Sequence, residues 1–116
     1  MKILIVEDDQ MSRKSTRRLL EMLHHTVFEA ESELSARNVL GSNSDFDMIF
    51  MDGSLSDPGG GLDTLDFVKA IIKSGFYGKI VAFSGNEDHN KALVSAGCVP
   101  CGKTSSLMGK RQLLGL

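Results

Sequence analysis

The order of apolar segments along the chain constrains its fold more than any other feature of the sequence. Three short segments are almost continuously apolar: KILIV at 2–6, FDMIFM at 46–51 and KIVAF at 79–83. Such β-branched, apolar runs are typical of strands buried on both faces of a sheet. TVFEA at 26–30 is a weaker candidate strand and CVPC at 98–101 is the weakest. The sequence therefore predicts five strands.

Helical patterns separate these strands. They occupy residues 11–23, the stretch between Ser32 and Gly41, 62–72, 87–96 and 105–114. Ser32 and Asn86 are suitable N-caps, and Gly41 and Gly97 are suitable helix stops. A strand is thus followed by a helix five times over. Such alternation predicts an α/β fold with a doubly wound, mostly parallel sheet that has helices on both faces.

Length and composition limit the class of protein. A chain of 116 residues with 41% hydrophobic residues fits one domain, spanning residues 1–116, with a core that needs no disulfides. A formal net charge of −2 does not favour nucleic acid as a partner. No apolar run is long enough for a signal peptide or a membrane span. Two cysteines form no disulfide framework, so we expect a cytoplasmic protein with no membrane partner.

Polar residues follow the predicted strands at the edge where α/β sheets bind ligands. Strand 1 is followed by the acids at 7–9, strand 3 by Asp52, strand 4 by Ser84 and Gly85, and strand 5 runs into Lys103. If the strand order is 2-1-3-4-5, Asp52 faces the strand-1 acids directly. Clustered carboxylates repel one another unless a cation neutralises them, and oxygen ligands with room for water and phosphate suit Mg²⁺. The acids could instead be a helix-start cluster favoured by the helix dipole.

Four segments together resemble the response-regulator receiver domain of two-component signalling, which has a flavodoxin-like fold. ILIVEDD is similar to the first strand of the family and its acidic pair, here Glu7 and Asp8. FDMIFMD is similar to the strand that presents the phosphorylated aspartate, here Asp52. VAFSG is similar to the fourth strand with its hydroxyl residue, Ser84, and Lys103 stands where the family has a lysine.

The resemblance implies a switch that is phosphorylated on an aspartate. Asp52 would be the nucleophile that attacks a phosphohistidine donor on a histidine kinase or a histidine phosphotransfer protein. Asp8, Asp52 and the backbone carbonyl of Ser54 would bind Mg²⁺, and Glu7 would assist through water. Lys103 and the Ser84 hydroxyl would bind phosphoryl oxygens. Gly85 would leave the phosphate site open to the donor.

The sequence also departs from the family pattern. The segment after Asp52 reads GSLSDPGGG, in which Asp57 and Pro58 are predicted turn residues, and Thr104 follows the lysine where the family has proline. The family's aromatic residue on strand 5 is replaced by a segment reading VPC at 99–101. The chain is then a stand-alone receiver, or a receiver excised from a larger protein. The alternative is a pseudo-receiver, an interaction module that keeps the fold and does not cycle phosphate.

The stretch GCVPCGKT at 97–104 matches two unrelated motifs. It reads as a P-loop, but it follows a helix, and the downstream acid of an NTPase has no room in the twelve residues that remain. It also contains a C-x-x-C spacing, which we interpret as two small apolar residues because no long helix follows Cys98 directly. Zinc is disfavoured because His24, His25 and His89 form no second pair at ligand spacing.

The predicted first helix carries a basic cluster made of Arg13, Lys14, Arg17 and Arg18. Such a cluster is usually a solvated helix face. Because the helix begins beside the acids, the cluster could alternatively be a docking surface for the kinase. The sequence leaves both interpretations open.

Overall fold

A computed structural model describes residues 1–55, 61–103 and 107–116 of the chain. Its strands are β1 (Lys2–Val6), β2 (Thr26–Ala30), β3 (Met48–Met51), β4 (Lys79–Ala82) and β5 (Val99–Pro100). Its helices are α1 (Gln10–Met22), α2 (Glu33–Ser42), α3 (Leu65–Lys73), α4 (Glu87–Ser95) and α5 (Arg111–Leu114), the last preceded by a 3₁₀ turn over Met108–Lys110.

The five strands form one parallel sheet in the order β2-β1-β3-β4-β5, as the sequence predicts. The strand order reverses between β1 and β3, where Val6 pairs with Met51. The residues that follow these two strands therefore lie side by side at the carboxyl edge of the sheet.

Two apolar cores lie on opposite faces of the sheet. On one face, β1 and β3 contribute Leu4 and Ile49, which pack with residues of α2, α3 and α4. On the other face, Ile3 and Phe50 pack with Leu20 of α1 and with residues of the C-terminal segment. Alternating residues of each buried strand thus supply both cores, which explains why the strands are apolar throughout.

Helices α2 and α4 each begin directly after the residue that was predicted to cap them. Ser32 accepts a hydrogen bond from the backbone of Ser35 in a capping box, and the side chain of Asn86 accepts from the first turn of α4. Both predicted N-caps are therefore confirmed. Gly97 ends the α4 region with a φ of 117°, a conformation in which glycine carries no steric penalty.

Two predicted helix boundaries are wrong. Helix α2 continues through Gly41 to Ser42, because Gly41 keeps a negative φ and nothing near it forces a stop. Helix α3 begins at Leu65 rather than at residue 62, since Asp63 and Thr64 bind the segment after β3 instead of opening a helical turn.

The predicted C-terminal helix is only partly tested. Residues 104–106 lie outside the described residues, and the remainder is a 3₁₀ turn followed by one α-helical turn. Leu114 is buried, whereas Leu113 is exposed. The predicted turn residues Asp57 and Pro58, and Thr104 after the lysine, also lie outside the described residues. Among the helices of the described segments, none has the length and apolar character that crossing a membrane requires.

Candidate functional site

The acids that follow β1 and β3 meet at the carboxyl edge of the sheet. Glu7, Asp8 and Asp52 each place a carboxylate oxygen within 4.8 Å of the others. Glu7 and Asp52 are both buried, at 1% and 8% exposure. The predicted juxtaposition of Asp52 with the strand-1 acids is thus present in the structure.

Burial and proximity make these carboxyl groups costly to ionise. Burial raises the pKa of Glu7, and its hydrogen bond with Asp52 raises that pKa further, against the opposing effect of Lys103. Burial also raises the pKa of Asp8, with smaller contributions from the hydrogen bond and the charge of Glu7. The site therefore carries more negative charge than its surroundings stabilise.

Lys103 brings a positive charge to the acids from beyond β5. Its Nζ atom donates to Oε1 of Glu7 and lies 3.4 Å from Oδ2 of Asp52. The same Nζ atom lies 5.3 Å from the centre of the Phe83 ring, at the end of β4. One lysine offsets part of the charge of three carboxylates, and their excess charge favours the binding of a further cation.

The donor set at this edge fits a Mg²⁺ ion. Oε2 of Glu7 is buried and receives no hydrogen bond from any residue in the described segments. A buried, unpartnered carboxylate oxygen is costly unless a donor or a cation meets it. Three carboxylates are hard oxygen ligands of the type that Mg²⁺ prefers. If an ion is bound, Glu7, Asp8 and Asp52 are the side chains that would hold it or its water.

The segment after β3 holds Asp52 in place. The backbone N–H of Gly53 donates to Oδ1 of Asp52 at 2.7 Å, which leaves Oδ2 directed towards Lys103. The hydroxyl of Thr64 donates to the backbone carbonyl of Asp52 at 2.7 Å. Thr64 is fully buried and was not predicted from the sequence, in which the available signal is a threonine directly before the helical pattern. Ser54 is half-buried beside Gly53, and its role as a carbonyl ligand stays a prediction.

Ser84 and Gly85 follow β4 at the same edge of the sheet. Ser84 is buried, and its hydroxyl accepts a hydrogen bond from the backbone N–H of Asn86 at 3.0 Å. Gly85 is exposed, and a Cβ atom there would lie 3.7 Å from Cγ of Lys103, an ordinary contact. A Cβ atom would thus be accommodated at this position, and the role of Gly85 in leaving the phosphate site open stays a prediction.

His89 lies against the segment that carries Asp52. A Cβ atom on Gly53 would come within 2.6 Å of Cβ of His89, so only glycine fits at position 53 without a shift of α4. His89 is a half-buried residue in the first turn of α4.

The stretch at 97–104 does not have the arrangement of a P-loop in its described part. Strand β5 lies inside the stretch, whereas a P-loop joins a strand to a helix. Cys98 and Cys101 are free and pack into the two different cores. Burial raises the pKa of Cys98 to about 11 and also raises that of Cys101, so both thiols stay protonated at neutral pH. This agrees with their interpretation as small apolar residues.

The basic cluster on α1 is not simply a solvated helix face. Arg13 is buried, and Arg13, Lys14 and Arg17 each place a nitrogen within 3.0 Å of a Glu29 oxygen. Burial alone would raise the pKa of Glu29, but the hydrogen bonds from these three cations outweigh it and lower that pKa. The sequence interpretation missed Glu29, a charged residue inside a strand that needs partners. Arg18 alone of the four is exposed without such a contact in the described segments.

Comparisons with known proteins agree with this arrangement. A sequence profile described as the response regulator receiver domain matches residues 3–99. A CheY-like receiver domain from Methylobacillus flagellatus is 25% identical, with a TM-score of 0.76 and 98% of each chain covered. The response regulator TrrA from Thermotoga maritima, solved with Mg²⁺-BeF, is 19% identical with a TM-score of 0.80, covering 98% of this chain and 96% of that one. No curated protein matches the sequence. With a profile match over more than half its length, the chain belongs to the family of response regulator receiver domains.

Proposed function

We propose that residues 1–116 act as a single receiver domain that accepts a phosphoryl group on Asp52 in the presence of Mg²⁺. The observation that carries this proposal is the meeting of Glu7, Asp8 and Asp52 with Lys103 at one edge of the sheet. The donor is a phosphohistidine of a histidine kinase or a histidine phosphotransfer protein, and the transfer takes place in the cytoplasm.

The contacts of Asp52 support a separate role for each of its oxygens. Oδ1 is occupied by the Gly53 N–H, whereas Oδ2 faces the Lys103 ammonium and is the atom positioned to attack phosphorus. A bond forms between Oδ2 and phosphorus while the bond from phosphorus to the donor nitrogen breaks, and that nitrogen keeps the electron pair. A bound Mg²⁺ supplies positive charge that offsets the carboxylates and the phosphoryl oxygens.

Lys103 and Ser84 bind the phosphoryl group as it is transferred and keep these contacts in the product. Nζ of Lys103 moves from its carboxylate partners to an oxygen of the new phosphoryl group, where it binds negative charge. The hydroxyl of Ser84 turns from the Asn86 N–H and donates to another phosphoryl oxygen. These two contacts make the phosphorylated state differ from the free one, and the difference in contacts is what drives a switch.

The pseudo-receiver is the second candidate, and β5 is the observation that favours it. The strand consists of two residues, Val99 and Pro100, and carries no aromatic side chain that could follow Ser84. A domain that lacks this relay could keep the fold as an interaction module. Phosphorylation itself separates the two candidates, because the first requires it and the second does not.

Labelling with a small phosphodonor tests the proposal. Wild-type protein is incubated with radiolabelled acetyl phosphate, with Mg²⁺ or with EDTA, and label sensitive to hydroxylamine is counted as aspartyl phosphate. We expect Mg²⁺-dependent label in the wild type and none in Asp52→Asn, and no label from ATP. Absence of label in a folded wild type would leave the pseudo-receiver as the better description.

A further inference from the structure

The backbone of Ser84 is held by one buried side chain. The Ser84 N–H donates to Oδ1 of Asn90 at 2.9 Å, and Nδ2 of Asn90 donates to the Ser84 carbonyl at 2.8 Å. Asn90 is a residue of α4 and is only 7% exposed. A single amide therefore satisfies both backbone groups of the residue that presents the hydroxyl, and loss of that amide would leave two buried polar groups without partners.

The hydroxyl of Ser84 is held more weakly than its backbone. It accepts one hydrogen bond, at 3.0 Å, from the N–H of Asn86, and this hydrogen bond is only partly buried. Rotation about one side-chain torsion breaks this bond and leaves both bonds to Asn90 in place. The hydroxyl can thus turn towards a phosphoryl group while the backbone that carries it stays fixed.

The helix that carries Asn90 is itself anchored beside the phosphoacceptor. Its first turn is capped by Asn86, whose Oδ1 accepts from the N–H groups of Asp88 and His89. His89 packs on the side of Gly53 where any other residue would carry a Cβ atom. Asn90 therefore connects Ser84 to the first turn of α4. The contact between His89 and Gly53 fixes the distance of that turn from the Asp52–Gly53 segment.

We propose that Asn90 is a positioning residue for phosphoryl transfer, because it fixes the backbone of Ser84 so that the Ser84 hydroxyl meets the phosphoryl group on Asp52. This inference rests on the proposed function. It goes beyond it by assigning to α4 a residue that touches neither phosphate nor metal and acts through Ser84. Catalytic contacts are sensitive to displacements of about 1 Å, so a backbone free to drift would weaken the hydroxyl contact.

A double-mutant cycle on the rate of Mg²⁺-dependent labelling by acetyl phosphate tests the inference. In the wild-type background, Asn90→Ala should slow labelling by about tenfold, because the hydroxyl is no longer held in position. In the Ser84→Ala background the same substitution should change the rate by less than about twofold, since no hydroxyl remains to be positioned. Asn38→Ala, which removes an exposed asparagine from α2, is the matched control and should leave the rate unchanged.

The outcomes separate this inference from the proposed function. A wild type that takes no label overturns both. A labelled wild type in which Asn90→Ala slows labelling equally with and without Ser84 overturns only the positioning role, because the residue would then act on the fold in general. Slowing confined to the background that contains Ser84 supports it.

A second variant covers the case in which Asn90→Ala does not fold. Asn90→Asp keeps the shape of the side chain and the acceptor for the Ser84 N–H, and it removes only the donor to the Ser84 carbonyl. The added negative charge is present in both backgrounds of the cycle and therefore cancels. Labelling should slow more where Ser84 is present than in the Ser84→Ala background, and this difference between the backgrounds should be smaller than with alanine. Equal slowing in both backgrounds would contradict the inference here too.

Discussion

Two charged clusters near the carboxyl end of the sheet have opposite balances of charge. In the acidic cluster, defined by Glu7, Asp8 and Asp52, three carboxylates face the one ammonium group of Lys103. In the Glu29 cluster, a single carboxylate receives hydrogen bonds from Arg13, Lys14 and Arg17. The two clusters differ in the number of cations that contact them, although Glu7 directly follows β1 and Glu29 lies in the adjacent strand β2.

The pKa values respond in opposite directions. Burial raises the pKa of Glu7, and its one cation does not reverse the shift, whereas three cations outweigh burial at Glu29 and lower its pKa. A carboxylate with sufficient internal partners stabilises the fold. A group of carboxylates without them needs an external cation, and this difference is why we assign metal binding to one cluster and a structural role to the other.

Arg13 links the two clusters. Its guanidinium donates from Nε to Glu29 and from Nη1 to the backbone carbonyl of Glu7 at 2.9 Å, within the buried part of the structure. The Glu29 cluster thus supports the backbone that presents the acids, without contributing a side chain to them.

The largest expected difference is in phosphorylation. Asp52→Asn and Glu29→Gln each replace a carboxylate by an amide of the same shape. Removal of the nucleophile should lower the rate of labelling by acetyl phosphate at least about hundredfold, whereas Glu29→Gln should stay within about threefold of wild type. Initial rates of labelling measure both. A Glu29→Gln rate as low as that of Asp52→Asn would contradict the division between the clusters.

The same pair of variants should differ in stability in the opposite order, with the larger loss in Glu29→Gln. Glu29→Gln leaves Arg13 buried without its carboxylate and should lower the free energy of unfolding by about 1–2 kcal/mol, less than for a fully buried pair because Lys14 and Arg17 are partly exposed. Asp52→Asn relieves repulsion and should leave that free energy unchanged or raise it by up to about 1 kcal/mol. Urea unfolding in EDTA measures both, and a large loss in Asp52→Asn would show that its charge stabilises the fold.

The sequence predicted one of these clusters and not the other, and the reason is physical. The acids that follow strands can be placed from chain order alone, since parallel strands bring their carboxyl ends together. Glu29 lies inside β2, and its partners come from the preceding helix, α1, so its contacts depend on helix rotation and side-chain reach. Thr64 and Asn90 were missed for the same reason, because each side chain binds backbone groups, of Asp52 and of Ser84, at positions that only the path of the folded chain sets.

Strand positions were predicted better than helix ends. The bounds of β1 and β2 match the prediction: β1 is an apolar run buried along almost its whole length, and β2 is a weaker segment in which Val27 and Ala30 are buried. Helix α2 passes through Gly41, since an exposed glycine lowers helix stability by only about 1 kcal/mol and packing at Ala36 and Val39 can offset that amount. Boundaries that depend on such small differences cannot be read from sequence.

The Glu29 cluster should give a defined pH dependence. Because the pKa of Glu29 is lower in the folded state than in the unfolded state, its contribution to stability is fully present above the ordinary pKa of glutamate, near 4.5, and is lost as the pH falls through the folded-state value. The difference in unfolding free energy between wild type and Glu29→Gln should therefore be constant from pH 7 to about pH 5. It should then shrink on further acidification. A difference that grows towards low pH would mean that the ion pairs do not lower the pKa.

Mg²⁺ should stabilise the protein through the acidic cluster alone. At a concentration ten times its dissociation constant, the ion should raise the free energy of unfolding by about 1.4 kcal/mol in the wild type and in Glu29→Gln. Asp8→Ala should abolish this gain. Asp9→Ala is the matched control, because Asp9 is exposed and its side chain makes no capping hydrogen bond. Equal stabilisation of the Asp8 and Asp9 variants would place the ion elsewhere.

The smallest expected effect concerns Lys103, whose ammonium group contacts the acidic cluster. Lys103 occupies Oε1 of Glu7 and approaches Oδ2 of Asp52, so it competes with Mg²⁺ for the same carboxylates. Its loss in Lys103→Ala should leave the dissociation constant of Mg²⁺ within about threefold of wild type and on the tighter side, because a like charge beside the ion is removed. Lys91→Ala, an exposed lysine on α4, is the control for general loss of positive charge.

The phosphoryl mimic beryllofluoride completes this test. NMR chemical shifts are followed as Mg²⁺ and then beryllofluoride are added to wild type, Lys103→Ala and Lys91→Ala. The shifts around Ser84 and α4 on addition of beryllofluoride should be smaller in Lys103→Ala than in the other two proteins, because no ammonium group meets the new oxygens. If Lys103→Ala instead binds Mg²⁺ more than tenfold more weakly, the lysine organises the carboxylates rather than competing for them. The acidic cluster would then resemble the Glu29 cluster, in which cations and carboxylates depend on one another.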